Sequence, residues 1–149
     1  MFYLLLFISL SIGICDDVHI WISSIEDDKI ELSIKSNQPI FGFDFKIGTY
    51  DNDILPIDYI EENFSNGSLS ETLYTINTGS GIVSNNNFNC FTDGQNRFLS
   101  LSLDNNSLPV TDSTLMMTIP IIANQNNFSY SIQDPYFFTK DSNYNIIDL

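Results

Sequence analysis

Basic residues are scarce in this chain of 149 residues. Lys and Arg together number 5 against 19 Asp and Glu, which gives a formal net charge of -14. A surface this acidic repels phosphate backbones and anionic headgroups, so nucleic-acid binding and membrane-surface binding are disfavoured. The charge is typical of a soluble extracellular surface, and it also suits a cationic partner, divalent cations or a neutral polymer.

Histidine occurs once, as His19, and this scarcity bears on catalysis. A Ser/His/Asp hydrolase would have to use His19, yet the chain has no G-x-S-x-G elbow or comparable nucleophile setting. One histidine and 2 cysteines also provide no zinc-binding spacing. A glycosidase needs two carboxylates about 5–9.5 Å apart, whereas most carboxylates here fall in predicted turns, where solvated acids are ordinary. We therefore predict that the protein is not an enzyme.

A short apolar run opens the chain. Residues 2–14 are apolar apart from two serines and a glycine, and two aspartates follow Cys15. About 13 residues is too short for a membrane span, which needs roughly 20, but it fits the apolar region of a secretory signal. We predict a signal peptide over residues 1–15 and one domain over residues 16–149, secreted or at the cell surface, with no integral membrane span in the mature chain. There are two alternatives. One is an uncleaved membrane anchor, because no Lys or Arg follows Met1 as in most signal peptides. The other is a lipoprotein with Cys15 lipidated.

Cysteine is nearly absent from the predicted mature chain. Removal of residues 1–15 leaves Cys90 alone, which excludes an intrachain disulfide. A single cysteine in a secreted protein is either a buried free thiol or a site of pairing between chains. Burial is favoured because Phe88 and Phe91 flank Cys90.

Glycosylation acceptors support secretion independently. Four triplets fit the pattern N-x-[ST], and in a host that glycosylates, each should lie in an exposed turn. Their asparagines are Asn63, Asn66, Asn105 and Asn127.

Alternating apolar residues are abundant and set the fold class. In residues 30–47, isoleucines, a leucine and phenylalanines alternate with polar residues or glycine on both sides of a break at residues 36–39. Side chains of a strand point to opposite faces at a period of two, so each run can bury one apolar face against a facing sheet. The same alternation at residues 99–103 predicts that the leucines are buried and the serines lie outside.

Turn signals separate several short strands along the chain, and no apolar pattern of helical period extends over ten residues. The chain is therefore predicted to be all-β, with its first three strands as antiparallel neighbours in space. Turns every 8 to 12 residues indicate a sandwich or barrel of Greek-key or jelly-roll type. The predicted strands cover residues 18–23, 29–35, 40–49, 73–77, 88–91, 98–103, 115–121 and 128–138.

The order of these features resembles that of cohesin-like extracellular β-sandwich modules. The likeness starts with the aromatic strand at residues 40–47, of the form x-G-F-x-F-x-I, and continues through the serine-alternating strand at residues 98–103. A loop, an apolar strand and a turn of the D-S-N-x-N kind follow at residues 105–114, 115–121 and 141–145. The resemblance implies a two-sheet antiparallel sandwich of jelly-roll type, without catalytic activity, that binds a dockerin-like protein.

Candidate ligand-binding residues are aromatic or acidic. Trp21 and Tyr50 are candidates for stacking on a sugar ring, and five other tyrosines lack a spacing that singles them out. Oxygen ligands in loops suit calcium, so Asp51 and Asp53 are the candidate metal ligands, and no other cofactor is expected. We thus predict a secreted, non-enzymatic module that binds an extracellular protein through a sheet face or its rim loops. The alternative is a carbohydrate-binding module that uses exposed aromatic residues. These five other tyrosines of the predicted mature chain are Tyr59, Tyr74, Tyr130, Tyr136 and Tyr144.

Overall fold

The computed structural model describes residues 18–49, 57–58, 60–64, 73–102, 104–122, 129–139 and 145–146, with backbone alone at 60–64 and 145–146. It consists of short strands and one helical turn. In chain order the elements are β1 (Val18–Ile25), β2 (Lys29–Ser36), β3 (Ile40–Thr49), β4 (Ile60–Phe64), β5 (Leu73–Thr75), α1 (Ile82–Asn85), β6 (Asn89–Thr92), β7 (Arg97–Leu101), β8 (Thr111–Pro120), β9 (Tyr130–Thr139) and β10 (Asn145–Ile146). No helix in these ranges is long and apolar enough to cross a membrane.

The strands form two antiparallel sheets, which confirms the prediction of a nearly all-β sandwich. The smaller sheet has the order β1-β2-β8, and the larger one has the order β10-β9-β3-β7-β6-β5-β4. Strand β3 has the bounds predicted from its alternation, whereas β4 was not predicted as a strand.

The first three strands are not all neighbours, so that prediction is wrong for β3. Strand β2 pairs with β1 on one side and with β8 on the other, whereas β3 lies in the seven-stranded sheet between β7 and β9. Each of these strands has an apolar face, and two such faces bury each other only from opposite sheets. The link between them turns at Ser36, whose Oγ donates a hydrogen bond to the backbone oxygen of Gln38 at 2.6 Å.

The core lies between the two sheets. Strand β2 contributes Ile30, Leu32 and Ile34, all buried, and β3 contributes the buried Phe43 and Phe45. The Phe45 ring stacks with that of Phe43 at 5.6 Å between centroids and with that of Phe98 at 5.5 Å. These three rings, from adjacent strands of the seven-stranded sheet, are among the largest fully buried side chains.

Strand β7 presents the opposite face to the one predicted. Ser100 is fully buried, and Leu101 is 38% exposed. The burial of the serine is tolerated because its hydroxyl donates a hydrogen bond to the backbone oxygen of Asn89 at 2.9 Å. An alternation defines two faces but does not determine which one turns inward, and here the core side is already filled by Phe98 and its neighbours. The leucines of β7 are therefore on the outer face of the sheet.

One helical turn, α1, interrupts the strands and was not predicted. Its four residues are too few for a helical period to appear in the sequence. Val83 of α1 is buried, and the residue before the helix, Gly81, has φ 126° and ψ 176°. The asparagine-rich segment after α1 forms a turn, in which Asn87 adopts the left-handed conformation with φ 56°.

Cys90 is a free thiol buried on β6, as predicted. Desolvation raises the pKa of this thiol to about 12. Because the native pKa lies above that of the unfolded thiol, about 8.5, burial of the neutral thiol favours folding below that pH, and the free energy of unfolding decreases as the pH rises from there towards 12.

This burial predicts that native Cys90 resists alkylation. At pH 8 the raised pKa keeps the native thiol neutral, and the side chain is only 2% exposed, whereas the thiolate is the form that reacts. We expect a Cys15→Ser variant to incorporate iodoacetamide at pH 8 only after addition of guanidinium chloride, as measured by mass spectrometry. Alkylation of the native protein at the rate of the denatured protein would contradict the burial of this thiol.

Candidate functional site

Of the two aromatic residues predicted from the sequence, the structure describes Trp21. Trp21 is half-buried, and its position in β1 faces Ser33 of β2. It borders a shallow depression of about 210 Å³ with Ile20, Tyr130 and other residues, where β1 comes close to the beginning of β9. Tyr50 lies outside the described residues.

The predicted calcium ligands, Asp51 and Asp53, also lie outside the described residues. Among the residues that are described, no group of three or more His, Cys, Asp or Glu side chains could hold a metal ion. Calcium binding by Asp51 and Asp53 stays a prediction.

Of the four predicted acceptor asparagines, the structure describes the side chain of Asn105. It is exposed in the turn between β7 and β8, with φ 56°, a conformation that asparagine adopts more readily than most residues. The next residue, Asn106, anchors this turn, because its backbone N–H donates to Ser102 Oγ at 2.8 Å. Asn66 and Asn127 lie outside the described residues, and Asn63 is in β4, where only the backbone is described.

A depression lies on the outer face of the seven-stranded sheet. It has a volume of about 430 Å³ and spans strands β7, β3 and β9. We call it the sheet cleft and define it by its lining residues, Asp44, Lys46, Arg97, Asp134, Tyr136 and Phe138.

Alternation in β3 directs Asp44 and Lys46 into the sheet cleft, because Phe43 and Phe45 point to the core. Across the ladder, Asp44 is opposite Tyr136 of β9, and Lys46 is opposite Arg97 of β7. The side chains of the cleft are thus fixed on adjacent strands, where the backbone permits little adjustment.

A bulge in β9 brings a fourth charged side chain, that of Asp134, to the cleft that Asp44, Lys46 and Arg97 already line. The register with β3 shifts between Asp44 and Lys46, so that two residues of β9, Asp134 and Pro135, lie opposite the single residue Phe45 of β3. Asp134 has φ 49°, in the left-handed region that a single aspartate can adopt. Bulges of this kind reorient a side chain locally, and here the carboxylate is brought to the border of the sheet cleft.

A bidentate ion pair joins Asp44 to Arg97. Arg97 Nε donates to the two carboxylate oxygens at 3.0 and 3.2 Å, and its Nη2 donates to Oδ2 at 2.6 Å. The backbone of Arg97 is also held in place, because its N–H donates to Asp93 Oδ1 at 3.1 Å. Parallel hydrogen bonds between a guanidinium and a carboxylate fix the geometry of both groups, so this pair is a rigid part of the cleft.

The second ion pair of the cleft is loose. Lys46 Nζ lies 3.8 Å from Asp134 Oδ2, and these side chains are 46% and 79% exposed. Such a pair contributes little to stability because solvent screens it. The four charges nevertheless balance, and 2 of the 5 basic residues of a chain with net charge -14 face this one cleft.

Aromatic and aliphatic side chains border the cleft on the same face. The rings of Tyr136 and Phe138 contact each other edge to face at 4.9 Å between centroids. Phe138 and Leu101 are each 38% exposed on either side of Gly42, where a Cβ atom would lie 2.8 Å from Leu101 Cδ2 and 3.1 Å from Phe138 Cδ2. The absence of a side chain at Gly42 lets these two residues approach each other over β3, and we call them the apolar ridge.

Sequence reasoning missed this site for three reasons. Tyr136 was one of several tyrosines without a distinguishing spacing, and the leucines of β7 were predicted to be inside. Asp44 and Arg97 are 53 residues apart, so their pairing depends on strand order. The detectable signal was the alternation itself, which places Asp44 and Lys46 on one face of a strand whose other face is aromatic.

No protein-family model matches the chain, and no curated protein matches it significantly.

Proposed function

We propose that this protein is a secreted, non-enzymatic binding module whose protein partner docks on the outer face of the seven-stranded sheet. The observation that carries the proposal is the apolar ridge, because Leu101 and Phe138 are exposed on a sheet face that in a sandwich is ordinarily polar. Exposed apolar side chains rimmed by charged residues are typical of interaction surfaces.

The outer side of β2, in the other sheet, contrasts with this surface. It presents Glu31, Ser33 and Lys35, which are polar and therefore suit contact with solvent, although Trp21 of β1 lies opposite Ser33. The resemblance to cohesin-like modules supports the same proposal, because such modules are jelly-roll sandwiches that bind a dockerin-like protein. The net charge of -14 favours a partner with a basic surface around an apolar centre, since the field of the whole chain would attract it.

A matched pair of substitutions tests where the partner docks. Leu101→Asp places a charge on the apolar ridge, and Val110→Asp makes the same kind of change at an aliphatic residue that is 56% exposed outside the seven-stranded sheet. We expect both variants to fold, because surface substitutions usually change the free energy of unfolding by less than about 0.5 kcal/mol. The immobilised protein would be exposed to the secreted and surface fraction of the producing organism.

We expect wild type and Val110→Asp to capture the same partner in equal amounts. Leu101→Asp should capture at least about tenfold less of it, because a central apolar contact is removed. Release of the partner by a calcium chelator would indicate a dockerin-like interaction. Equal capture by the two variants would place the contact elsewhere on the protein and refute the proposal.

A further inference from the structure

We propose that the sheet cleft binds a neutral sugar ring, which packs on Tyr136 while its hydroxyl groups bind the Asp44–Arg97 pair. This inference rests on the proposal that the outer face of the seven-stranded sheet is the binding surface, and it adds a ligand class. The sugar can belong to a free polysaccharide or to a glycan on the partner protein, since the chemistry recognised is the same.

The charges of the cleft favour a neutral ligand. An anion would compete with Asp44 for Arg97, and a cation would compete with Arg97 for Asp44, so either ligand would have to break a bidentate pair with bonds of 2.6 to 3.2 Å. Lys46 and Asp134 oppose each other in the same way. A hydroxyl group both donates and accepts, so it can contact the exposed edges of the carboxylate and of the guanidinium without separating them.

Both partners of the pair remain accessible to such a ligand. The side chain of Arg97 is 37% exposed and that of Asp44 is 25% exposed, while the surrounding β-ladder fixes their positions. Two adjacent hydroxyl groups of a sugar have the spacing and the mixed donor and acceptor character that this planar pair requires. Because the pair is formed before the ligand arrives, little conformational entropy is lost on binding.

The aromatic side of the cleft provides the complementary apolar surface. A sugar ring has one face of C–H groups, and aromatic rings with a polar edge pack against such faces. The edge-to-face contact with Phe138 at 4.9 Å orients the Tyr136 ring beside the ion pair. The cleft volume of about 430 Å³ lies within the range of about 300–1,000 Å³ that is usual for small-ligand sites.

The test uses the full chain on an array of neutral oligosaccharides with gluco, manno and galacto configurations, followed by titration calorimetry with those that bind. We expect Tyr136→Ala to weaken binding at least about tenfold and Tyr136→Phe, which keeps the ring, to restore it to within about threefold. Arg97→Lys keeps the charge but loses the planar fork and should also weaken binding about tenfold. Trp21→Ala, on the other sheet, is the matched aromatic control and should bind like wild type.

The outcomes separate this inference from the proposed function. If no neutral oligosaccharide binds while Leu101→Asp still loses its protein partner, the sugar site is refuted and the protein-binding surface stands. If binding is lost in Trp21→Ala and kept in Tyr136→Ala, the sugar lies on the three-stranded sheet and the cleft is refuted. If enzymatic deglycosylation of the captured partner abolishes its binding, the sugar belongs to that partner. If the protein binds only the oligosaccharides of the array, the ligand is a free polysaccharide. Both results support the site.

Discussion

Replacement of Gly81 by alanine is expected to lower the free energy of unfolding by about 3 kcal/mol or more. Gly81 has φ 126° and ψ 176°, a region of backbone conformation that is essentially restricted to glycine. A Cβ atom there would lie 2.5 Å from the backbone oxygen of Met116 and 2.8 Å from its carbonyl carbon. Because β8 is fixed by its pairing with β2, the clash can be relieved only if α1 moves away from the sheet.

That movement explains why the expected effect exceeds backbone strain alone. Gly81 accepts, through its backbone oxygen, a hydrogen bond from the N–H of Asn85 at 3.0 Å, so it belongs to the single turn of α1. Val83 in the same turn is fully buried, and displacement of the turn would expose part of this side chain. The substitution therefore combines a disfavoured conformation, a steric clash with backbone and a loss of apolar burial.

Gly79 provides the matched control two residues away. It also has a positive φ, 61°, but a Cβ atom there would lie 3.4 Å from Thr118 Cβ, which is an ordinary contact. Gly79→Ala should therefore cost only about 1 kcal/mol, the penalty of the left-handed conformation. Urea denaturation followed by circular dichroism would measure both variants. Equal losses in the two would show that steric contact with β8 is not the source of the effect.

The extent to which the sequence predicted the fold differs from strand to strand. The bounds of β3 were predicted correctly because its phenylalanines alternate without interruption between Ile40 and Thr49. The face of β7 was predicted wrongly because leucine and serine alternate equally well in both orientations, and the choice depends on partners far away in sequence. The turn at α1 has four residues, fewer than a periodic pattern needs.

The candidate site was less predictable than the fold, because it depends on strand order. Asp44, Arg97 and Tyr136 come from three strands, and only the order β9-β3-β7 brings them together. The left-handed conformation of Asp134 had no signal in the sequence, since its bulge arises from the pairing of β9 with β3. Burial of Cys90, by contrast, followed from its apolar neighbours in the sequence.

The second large effect is expected at Phe45, where substitution by alanine should lower the free energy of unfolding by about 3–5 kcal/mol. This side chain is 1% exposed and lies between the rings of Phe43 and Phe98, at 5.6 and 5.5 Å between centroids. Its removal leaves a cavity that backbone pairing on both sides of β3 prevents from closing, so transfer and cavity costs add. A loss of this size is a large part of the roughly 5–15 kcal/mol that stabilises a typical domain.

Phe138→Ala makes the same chemical change on the neighbouring strand β9, but on the outer face, where Phe138 is 38% exposed. Its stability cost should be about 1 kcal/mol, since solvent already reaches much of the ring. The two variants should therefore separate stability from binding: Phe45→Ala shifts the urea midpoint strongly, whereas Phe138→Ala stays folded and loses affinity at the sheet cleft. If Phe138→Ala were as unstable as Phe45→Ala, its ring would be needed for folding, and its exposure would no longer indicate a surface kept for a ligand.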